Sequence, residues 1–507
     1  MCWSMTWLIS LAVAILWLTY RRAIFKHRPA PLPPGPRPLP LIGNIFDMPT
    51  TKQWLTFADW AKYGDISHVE IMGKHIVVLN SVNAAMEMLH KKSSKYSDRP
   101  VLPMCGELVG CKYTLPLLPY GDLFRETRRK FHRLIGTHAM MKACHENEQL
   151  EIHRFLKRVH EHPEELATHI RRTVGSVILR ISHGYQVKDD HDPFLELAEN
   201  ALLIFAKCTT QGAFLVDAFP FLQYVPEWFP GAGFKTMARK WKAEILEMVN
   251  QPHQWAKEQM AAGIATQSFT STLLDVASLT EEEDHAIKWS AASFYGGGAD
   301  TSVSAMSALF LAMTLFPEAQ EKAQAEIDAV IGTDRLPTYT DRESLPFVEA
   351  VVKEVLRWHV TLPLGFPHVV SEEDIHDGYY IPKGTIVIPN AWFMLHDPRV
   401  YSSPMEFRPE RFLACEGKEP EADPLKIAFG FGRRICPGLH IANESLWLSA
   451  AASLAVFNIS KAVVNGVEIT PEVDPSSHNI SHPKPFQCSI KPRSARALER
   501  IQQDTYL

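Results

Sequence analysis

This chain of 507 residues lacks several common signatures, and each absence excludes a class of protein. Its eight cysteines form no C-x-x-C pair, which argues against zinc-ribbon and zinc-finger sites and fits a chain kept reduced in the cytosol. No glycine-rich nucleotide-binding fingerprint follows a predicted strand, and no internal repeat is present. The net charge is −5, and no basic stripe carries interleaved aromatic residues, so we expect no nucleic-acid partner.

An apolar N-terminal stretch predicts a membrane anchor. Residues 1–20 carry no charge, and about twenty apolar residues span the hydrocarbon core of a bilayer. Basic residues follow at once, which places the C-terminal side in the cytosol and favours an uncleaved anchor over a cleaved signal peptide. Residues 21–40 are basic and then proline-rich, so they should form a stiff, extended hinge. We expect the main folded domain to occupy residues 41–507.

The sequence predicts that the remainder of the chain is mainly α-helical, with small β-sheets. The segment from Ile66 to Leu79 predicts two strands around Met72-Gly73-Lys74, and the later sequence is mostly helical in character. A long helix should begin after Thr280, because Thr280 and Glu283 form a capping box before a run of periodic apolar residues. Three consecutive glycines, 296–298, lie inside it and cost about 1 kcal/mol each relative to alanine, so some function should offset them.

Near the C-terminus, residues 429–438 combine glycines and a Pro-Gly pair with one cysteine, Cys436. Glycines let the backbone approach a flat group closely, and Arg434 with nearby amides could hold the cysteine as a thiolate. The loop therefore predicts a metal site with one sulfur ligand. The alternative is a buried structural cysteine in a glycine-rich turn.

Four motifs, in this order along the chain, resemble those of the cytochrome P450 superfamily. They are Gly297-Gly298-Ala299-Asp300-Thr301-Ser302 for [AG]-G-x-[DE]-T-[TS], Glu354-Val355-Leu356-Arg357 for E-x-x-R, Pro409-Glu410-Arg411-Phe412 for P-E-R-F, and Phe429, Gly432, Arg434, Cys436 and Gly438 for F-x-x-G-x-R-x-C-x-G. The resemblance covers nearly the whole chain. Within the superfamily, the sequence is most similar to fungal microsomal members that tailor secondary metabolites. It implies the cytochrome P450 fold.

The resemblance also implies a thiolate-ligated haem b. Cys436 would be the proximal ligand of the iron, and a thiolate there favours O–O cleavage. The other fixed positions of the loop, Phe429, Gly432, Arg434 and Gly438, would complete the cofactor site. On the distal helix, the Thr301 hydroxyl would donate a hydrogen bond to the distal oxygen of the iron-bound species. Asp300 would relay protons from solvent, and a local opening of the helix at the glycines would let water enter. Without the resemblance, a kink at small residues and a solvated Asp300 would suffice.

Two further residues are expected to contact haem propionates. The family usually carries W-x-x-x-R at the start of a helix, and here Arg128 fits the arginine whereas Phe124 replaces the tryptophan. Phenylalanine has no N–H to donate, so one propionate hydrogen bond is in doubt. His368 stands where many relatives have an arginine or histidine near a propionate. Arg129 and Lys130 could instead face an acidic redox partner.

Other residues are assigned structural or lining roles by the resemblance. Glu354, Arg357 and Arg411 would form a buried network on the proximal side. The residues expected to line an apolar substrate cavity are Val360, Leu362, Leu364, Phe294 and Tyr295. The aromatic and proline-rich stretch from Ala213 to Lys240 suits a substrate entrance at the membrane interface, or simply a core-packed loop.

The function implied is a haem-thiolate monooxygenase of the endoplasmic reticulum membrane. It would insert one oxygen atom from O2 into a small hydrophobic substrate, hydroxylating or epoxidising a terpenoid or polyketide intermediate, with electrons from NADPH–cytochrome P450 reductase. An aromatic alkaloid precursor is an alternative substrate. Two other functions remain open: a reductase-independent thiolate-haem isomerase or dehydratase, and a non-enzymatic haem-binding protein. The isomerases commonly lose the acid–alcohol pair that Asp300 and Thr301 retain.

Overall fold

The mainly helical architecture with small β-sheets is confirmed in a computed structural model, which describes residues 28–188, 191–210, 212–415 and 417–503. The predicted anchor, residues 1–20, and the first residues of the hinge lie outside the described part of the chain. The hinge residues that are described run without helix or strand as far as residue 38. Proline-rich sequence of this kind cannot donate the hydrogen bonds that either structure needs.

Helices make up most of the described chain. The longer ones are α1 (Gln53–Asp59), α2 (Asp122–Ile135), α3 (His138–Glu161), α4 (Leu166–His183), α5 (Pro193–Thr209), α6 (Gly233–Ala261), α7 (Phe269–Leu274), α8 (Glu281–Leu315), α9 (Pro317–Val330), α10 (Pro346–Trp358), α11 (Leu439–Val456) and α12 (Ala495–Gln503). Single-turn helices lie at Val82–Ala85, Ser93–Tyr96, Leu215–Ala218, Ala391–Leu395 and Leu425–Ala428.

The strands form three small sheets. They are β1 (Ile66–Ile71), β2 (Lys74–Leu79), β3 (His368–Val369), β4 (Asp374–His376), β5 (Tyr379–Ile381), β6 (Ile386–Pro389), β7 (Phe457–Val464), β8 (Val467–Ile469) and β9 (Cys488–Pro492). The sheet orders are β1-β2-β6-β3, β4-β5 and β8-β7-β9. The predicted hairpin is confirmed: β1 pairs antiparallel with β2 in the register Ile71↔Lys74, and Met72 and Gly73 turn with φ of 48° and 84°.

Helix α8 is the central element, and its start is the predicted one. The Thr280 hydroxyl accepts from the Glu283 N–H at 3.2 Å, while the Glu283 carboxylate accepts from the Thr280 N–H at 2.9 Å. The helix ends before Pro317, which cannot continue it. From residue 303 to residue 314 nearly every side chain is buried, in a core shared with α4, α10 and α11. A helix buried all round forms the interior of a large domain.

Helix α8 is also the one helix, within the described ranges, that is long and apolar enough to cross a membrane. Its most apolar window is 67% buried inside the protein, which is typical of a core helix. This finding therefore does not bear on the anchor predicted for residues 1–20.

Candidate active site

The loop before α11 presents Cys436 to a large internal cavity. The Cys436 N–H donates to the Phe429 carbonyl at 2.8 Å and closes the loop, and the exposed surface of the cysteine lies in that cavity. The protein packed around the thiol raises its pKa, although the Gly438 N–H and the charge of Arg128 oppose this effect. A thiol so placed needs a cation on its open side to ionise fully at neutral pH.

Gly432 shows why the loop needs glycine at this position. Its φ is +57°, and a Cβ atom would lie 2.1 Å from the Leu89 carbonyl oxygen, so no other residue fits without moving backbone. At Gly438 a Cβ atom would lie 3.8 Å from the Cys436 sulfur, which is ordinary contact. Gly432 fixes the loop against residues 86–91, while Phe429 and Gly438 line the cavity with Cys436.

Arg434 is a buried cation with an unused donor beside this cavity. Its Nε donates to the Ser97 carbonyl at 2.7 Å and its Nη2 to the Leu118 carbonyl at 2.8 Å. Its Nη1 is buried and has no partner within the described chain. Burial lowers the pKa of Arg434 to about 10. The guanidinium lies 3.8 Å from the ring centroid of Phe124, so the residue that replaces the usual tryptophan stacks on the neighbouring arginine.

Two more arginines line the same cavity. Arg128, on α2, donates from Nη1 to the Ile435 carbonyl at 2.6 Å, and burial lowers its pKa. Arg99 was not predicted from the sequence. Its Nη1 donates to the carbonyls of Phe366 and Pro367, each at 2.7 Å, and its pKa is lowered by burial and then by the charge of Arg434. Lone arginines carry no local signal, so only the folded chain could reveal this one.

His368 lies in the same region, and its hydrogen bond restricts what it can offer. Its Nδ1 lies 2.6 Å from the Tyr96 carbonyl, which can only accept, so Nδ1 carries the proton. Burial, and then the charges of Arg99 and Arg434, hold its pKa well below the ordinary value, and a neutral ring then has an unprotonated Nε2. The predicted contact with an anionic propionate therefore requires a second proton on this ring.

The glycines of α8 serve two different purposes. At Gly297 a Cβ atom would meet nothing within 4 Å, and this position opens to the cavity. At Gly298 a Cβ atom would lie 2.8 Å from Cδ1 of Ile178 on α4, so that glycine permits close helix packing. The helix continues through both glycines, from Glu281 to Leu315.

The predicted proton-handling residues fall on different sides of α8. Thr301 lines the cavity, but its hydroxyl donates to the Gly297 carbonyl at 2.8 Å. In this arrangement its one proton is not available for the predicted donation into the cavity, and its oxygen is free to accept. Asp300 does not line the cavity. Its carboxylate pairs with Nε2 of His482 at 3.1 Å, and about a quarter of each side chain is exposed. The partner His482 was not predicted from the sequence.

The cavity has a volume of about 340 Å³ and mostly apolar walls. The predicted lining is confirmed for Phe294, Val360 and Leu362. It is wrong for Leu364, which packs in a separate cluster with Trp54, and for Tyr295, which is buried in the main core. Periodicity cannot distinguish the faces of a helix that is buried all round.

The predicted buried network is confirmed on the proximal side. Glu354, Arg357 and Arg411 are all fully buried, and Arg357 binds the Glu354 carboxylate through Nε at 2.7 Å and Nη2 at 2.9 Å. Nε of Arg411 binds the same carboxylate at 3.1 Å. Nη1 of Arg411 binds Glu421 at 2.6 Å, and this second acid, which was not predicted, balances the two guanidinium charges.

These residues fit a haem. A macrocycle with an iron centre and two carboxylates needs a soft ligand, apolar walls, a face without side chains and cationic donors. The cavity supplies Cys436, apolar walls, Gly297 and the unpartnered Nη1 of Arg434.

Comparisons with known proteins agree with this site. The family profile "Cytochrome P450" matches residues 33–489. The chain is 52% identical over 488 residues to cytochrome P450 monooxygenase 208 of Postia placenta, covering 96% of this chain and 95% of that protein. It is 48% identical to cytochrome P450 monooxygenase claR of Ampulloclitocybe clavipes, covering 93% and 88%, and 42% identical to cytochrome P450 monooxygenase ppsD of Aspergillus oryzae, covering 96% and 93%.

The chain belongs to the cytochrome P450 family. It is therefore an oxidoreductase of a family that binds thiolate-ligated haem iron, and the resemblance found in its motifs is confirmed.

Proposed function

We propose that this chain is a monooxygenase that inserts one oxygen atom from O2 into a small hydrophobic substrate, with Cys436 as the proximal haem ligand. The observation that carries the proposal is that Cys436, Thr301 and Arg434, a cation with one buried unpartnered N–H group, all line one apolar cavity. A haem carrier would need the thiol and the cations but not the hydroxyl on the distal helix. The acid–alcohol pair likewise favours a monooxygenase over a reductase-independent isomerase.

In this proposal the haem supplies the chemistry of O2 activation, and the chain supplies binding and protons. Arg128 and Arg434 hold the haem carboxylates, while Phe429, Gly432 and Gly438 shape the loop around Cys436. His368 joins them only when its ring carries a second proton, or when the carboxyl group it meets is protonated. The Thr301 oxygen accepts a hydrogen bond from a protonated group in the cavity and so orients that group. Asp300 brings protons from solvent.

The substrate is a small apolar molecule, and we favour a terpenoid or polyketide intermediate of fungal secondary metabolism. The apolar walls of the cavity support this class, since polar groups bind well only where a site offers them partners. The similarity to fungal monooxygenases supports it as well. Trp289, Phe294 and Phe205 also give the cavity aromatic surface, so an aromatic alkaloid precursor is a second candidate.

We further propose that the protein works on the cytosolic side of the endoplasmic reticulum membrane, held by an anchor at residues 1–20 and a hinge at 21–40. Exposed aromatic and aliphatic side chains between α5 and α6 support membrane contact, because apolar groups of this size are usually buried. They are Leu215, Phe221, Tyr224, Trp228 and Phe229. The catalytic domain then extends from residue 41 to residue 507.

Electrons would come from NADPH–cytochrome P450 reductase, docked on the side of the molecule that carries the Cys436 loop. Arg129 and Arg133 are exposed on α2, which the Arg128–Ile435 hydrogen bond joins to that loop, and Arg433 of the loop is also exposed. An acidic partner would be attracted to such a surface. Lys130 is a weaker candidate because it pairs with Glu126 and is mostly covered.

The test is turnover with candidate substrates under two conditions. Products that form only with reductase, NADPH and O2 support the monooxygenase. Conversion of a peroxide substrate without reductase would support the isomerase instead. Haem binding without product under either condition, across a broad substrate set, would favour the non-enzymatic haem protein.

A further inference from the structure

An imidazole pairs with the proposed proton donor of the distal helix where both side chains are partly exposed to solvent. Nε2 of His482 lies 3.1 Å from Oδ1 of Asp300. The exposed fractions of the two side chains are 27% and 25%, and neither side chain lines the cavity, whereas Thr301, the next residue on α8, does. The pair therefore occupies the outer side of the helix, and Nδ1 is the ring nitrogen left available to solvent.

The fold holds His482 in this place from both sides. Ser304 lies one turn beyond Asp300 on α8, so the two share a helix face, and its hydroxyl donates to the Ser481 carbonyl at 2.6 Å. The Ser481 N–H donates to the Thr361 carbonyl at 2.8 Å. The His482 N–H donates to the Ser476 hydroxyl at 3.0 Å. A loop fixed by three hydrogen bonds sets the imidazole opposite the carboxylate.

The charged groups around this imidazole leave Asp300 as its acidic partner. His359, which directly follows α10, is buried. Burial lowers its pKa to about 4, so its ring remains neutral. On the loop itself, Lys484 pairs with Glu472 and Asp474. Among the described residues, the carboxylate of Asp300 is the acid within ion-pair distance of His482.

We propose that His482 is a positioning and proton-relay residue that supplies Asp300, an inference that rests on the proposed monooxygenase function. Insertion of one oxygen atom consumes O2, two electrons and two protons, and releases one water. The ring takes a proton from solvent at Nδ1 and releases the proton on Nε2 to the Asp300 carboxylate. Asp300 then delivers it to the cavity side where Thr301 stands. Imidazole suits this role because it exchanges protons near neutral pH.

The test uses the full-length haem protein with reductase, NADPH and O2, and no added substrate. Without substrate, reduction of O2 to hydrogen peroxide consumes two electrons and two protons, so the NADPH oxidation that is matched by peroxide release depends on proton delivery and is the rate compared. Proton transfer by a positioned side chain contributes on the order of 100-fold or more, and a residue that acts through Asp300 should contribute less, about tenfold. H482Q keeps a hydrogen-bond donor but cannot relay a proton, so it should oxidise NADPH about tenfold more slowly, with a larger solvent deuterium isotope effect.

Three comparisons make the result decisive. D300N should show a larger defect of the same kind, and the H482Q/D300N double variant should be no slower than D300N alone, because both residues act in one path. K484Q, on the same loop but paired elsewhere, should match wild type. H482Q should also keep the wild-type thermal unfolding temperature and carbon-monoxide spectrum, which a purely structural role of His482 would change.

Several outcomes would overturn the proposal. The proposal is wrong if H482Q matches wild type while D300N is slow, or if the two defects multiply in the double variant. It is also wrong if the rate loss of H482Q only follows a loss of correctly folded haem protein. Failure of the proposed function looks different: wild type with a normal thiolate-type spectrum would then oxidise no NADPH at all.

Discussion

Replacement of Arg434 by methionine should weaken haem binding, and this effect can be measured separately from its effect on the fold. Burial lowers the pKa of Arg434 from 12.5 to about 10. At about 1.4 kcal/mol per unit, this corresponds to about 3 kcal/mol against the charged form. The guanidinium is charged at pH 7 in both the folded and unfolded states, so this penalty does not vary near neutral pH.

Methionine removes that penalty, and it also removes the hydrogen bonds to Ser97 and Leu118. Hydrogen bonds from a charged donor contribute about 1.5–3 kcal/mol each, so the two bonds together exceed the burial penalty by about 0–3 kcal/mol, and the haem-free protein should lose that much unfolding free energy. The bond that Nη1 would donate to a haem carboxylate has no such compensation. Its loss, of about 1.5–3 kcal/mol, should accelerate haem release about 10- to 100-fold.

The assay is haem transfer to an excess of apomyoglobin, with urea unfolding of the haem-free protein measured in parallel. R433M is the matched control, because Arg433 is exposed and its side chain donates to the Tyr120 hydroxyl at 2.8 Å. It should release haem at the wild-type rate. Equal haem release from R434M and wild type would refute the reasoning, because Nη1 would then have no ligand.

Four other changes test separate parts of the molecule. Gly432→Ala should yield protein with little haem, measured by absorbance per protein, because its Cβ atom would lie 2.1 Å from the Leu89 carbonyl; normal haem content would contradict this. Glu354→Gln should lower the urea-unfolding free energy by about 3–5 kcal/mol, since two buried guanidiniums lose their shared charge, and a loss below about 1 kcal/mol would be inconsistent with that network. Burial raises the pKa of Glu148 from 4.5 to about 8, so the folded state keeps a proton that the unfolded state loses, and stability should fall as pH rises between these values. Glu148→Gln should flatten that pH profile of unfolding, and an unchanged slope would oppose the assignment. In protein that lacks residues 1–27, so that the proposed anchor does not mask the effect, Trp228→Glu should reduce sedimentation with lipid vesicles without changing the carbon-monoxide spectrum, and undiminished binding would place the membrane contact elsewhere.

Local patterns in the sequence were sufficient to predict several elements of the fold and the site. The capping box at Thr280 and Glu283 predicts the start of α8, because both reciprocal hydrogen bonds lie within four residues. The turn at Met72-Gly73 predicts the β1–β2 hairpin for the same reason. The loop around Cys436 is also local, and positive φ angles explain Gly430 and Gly432 in it.

Contacts between distant segments could not be predicted in this way. His482 meets Asp300 across 182 positions of the chain, and Arg99 reaches the carbonyls of Phe366 and Pro367. Nothing in the spacing of such residues indicates that they meet. Tyr295 illustrates a different limit, because a helix buried all round gives no apolar face from which to choose the cavity side.

The central claim is that Cys436 is the proximal ligand of a haem, and the carbon-monoxide difference spectrum of the reduced protein tests it most directly. Wild type should show the red-shifted Soret band of a thiolate ligand, and C436A, prepared in the same way, should lose it. An imidazole-type band in folded wild-type protein, or a thiolate band that survives in C436A, would contradict the claim.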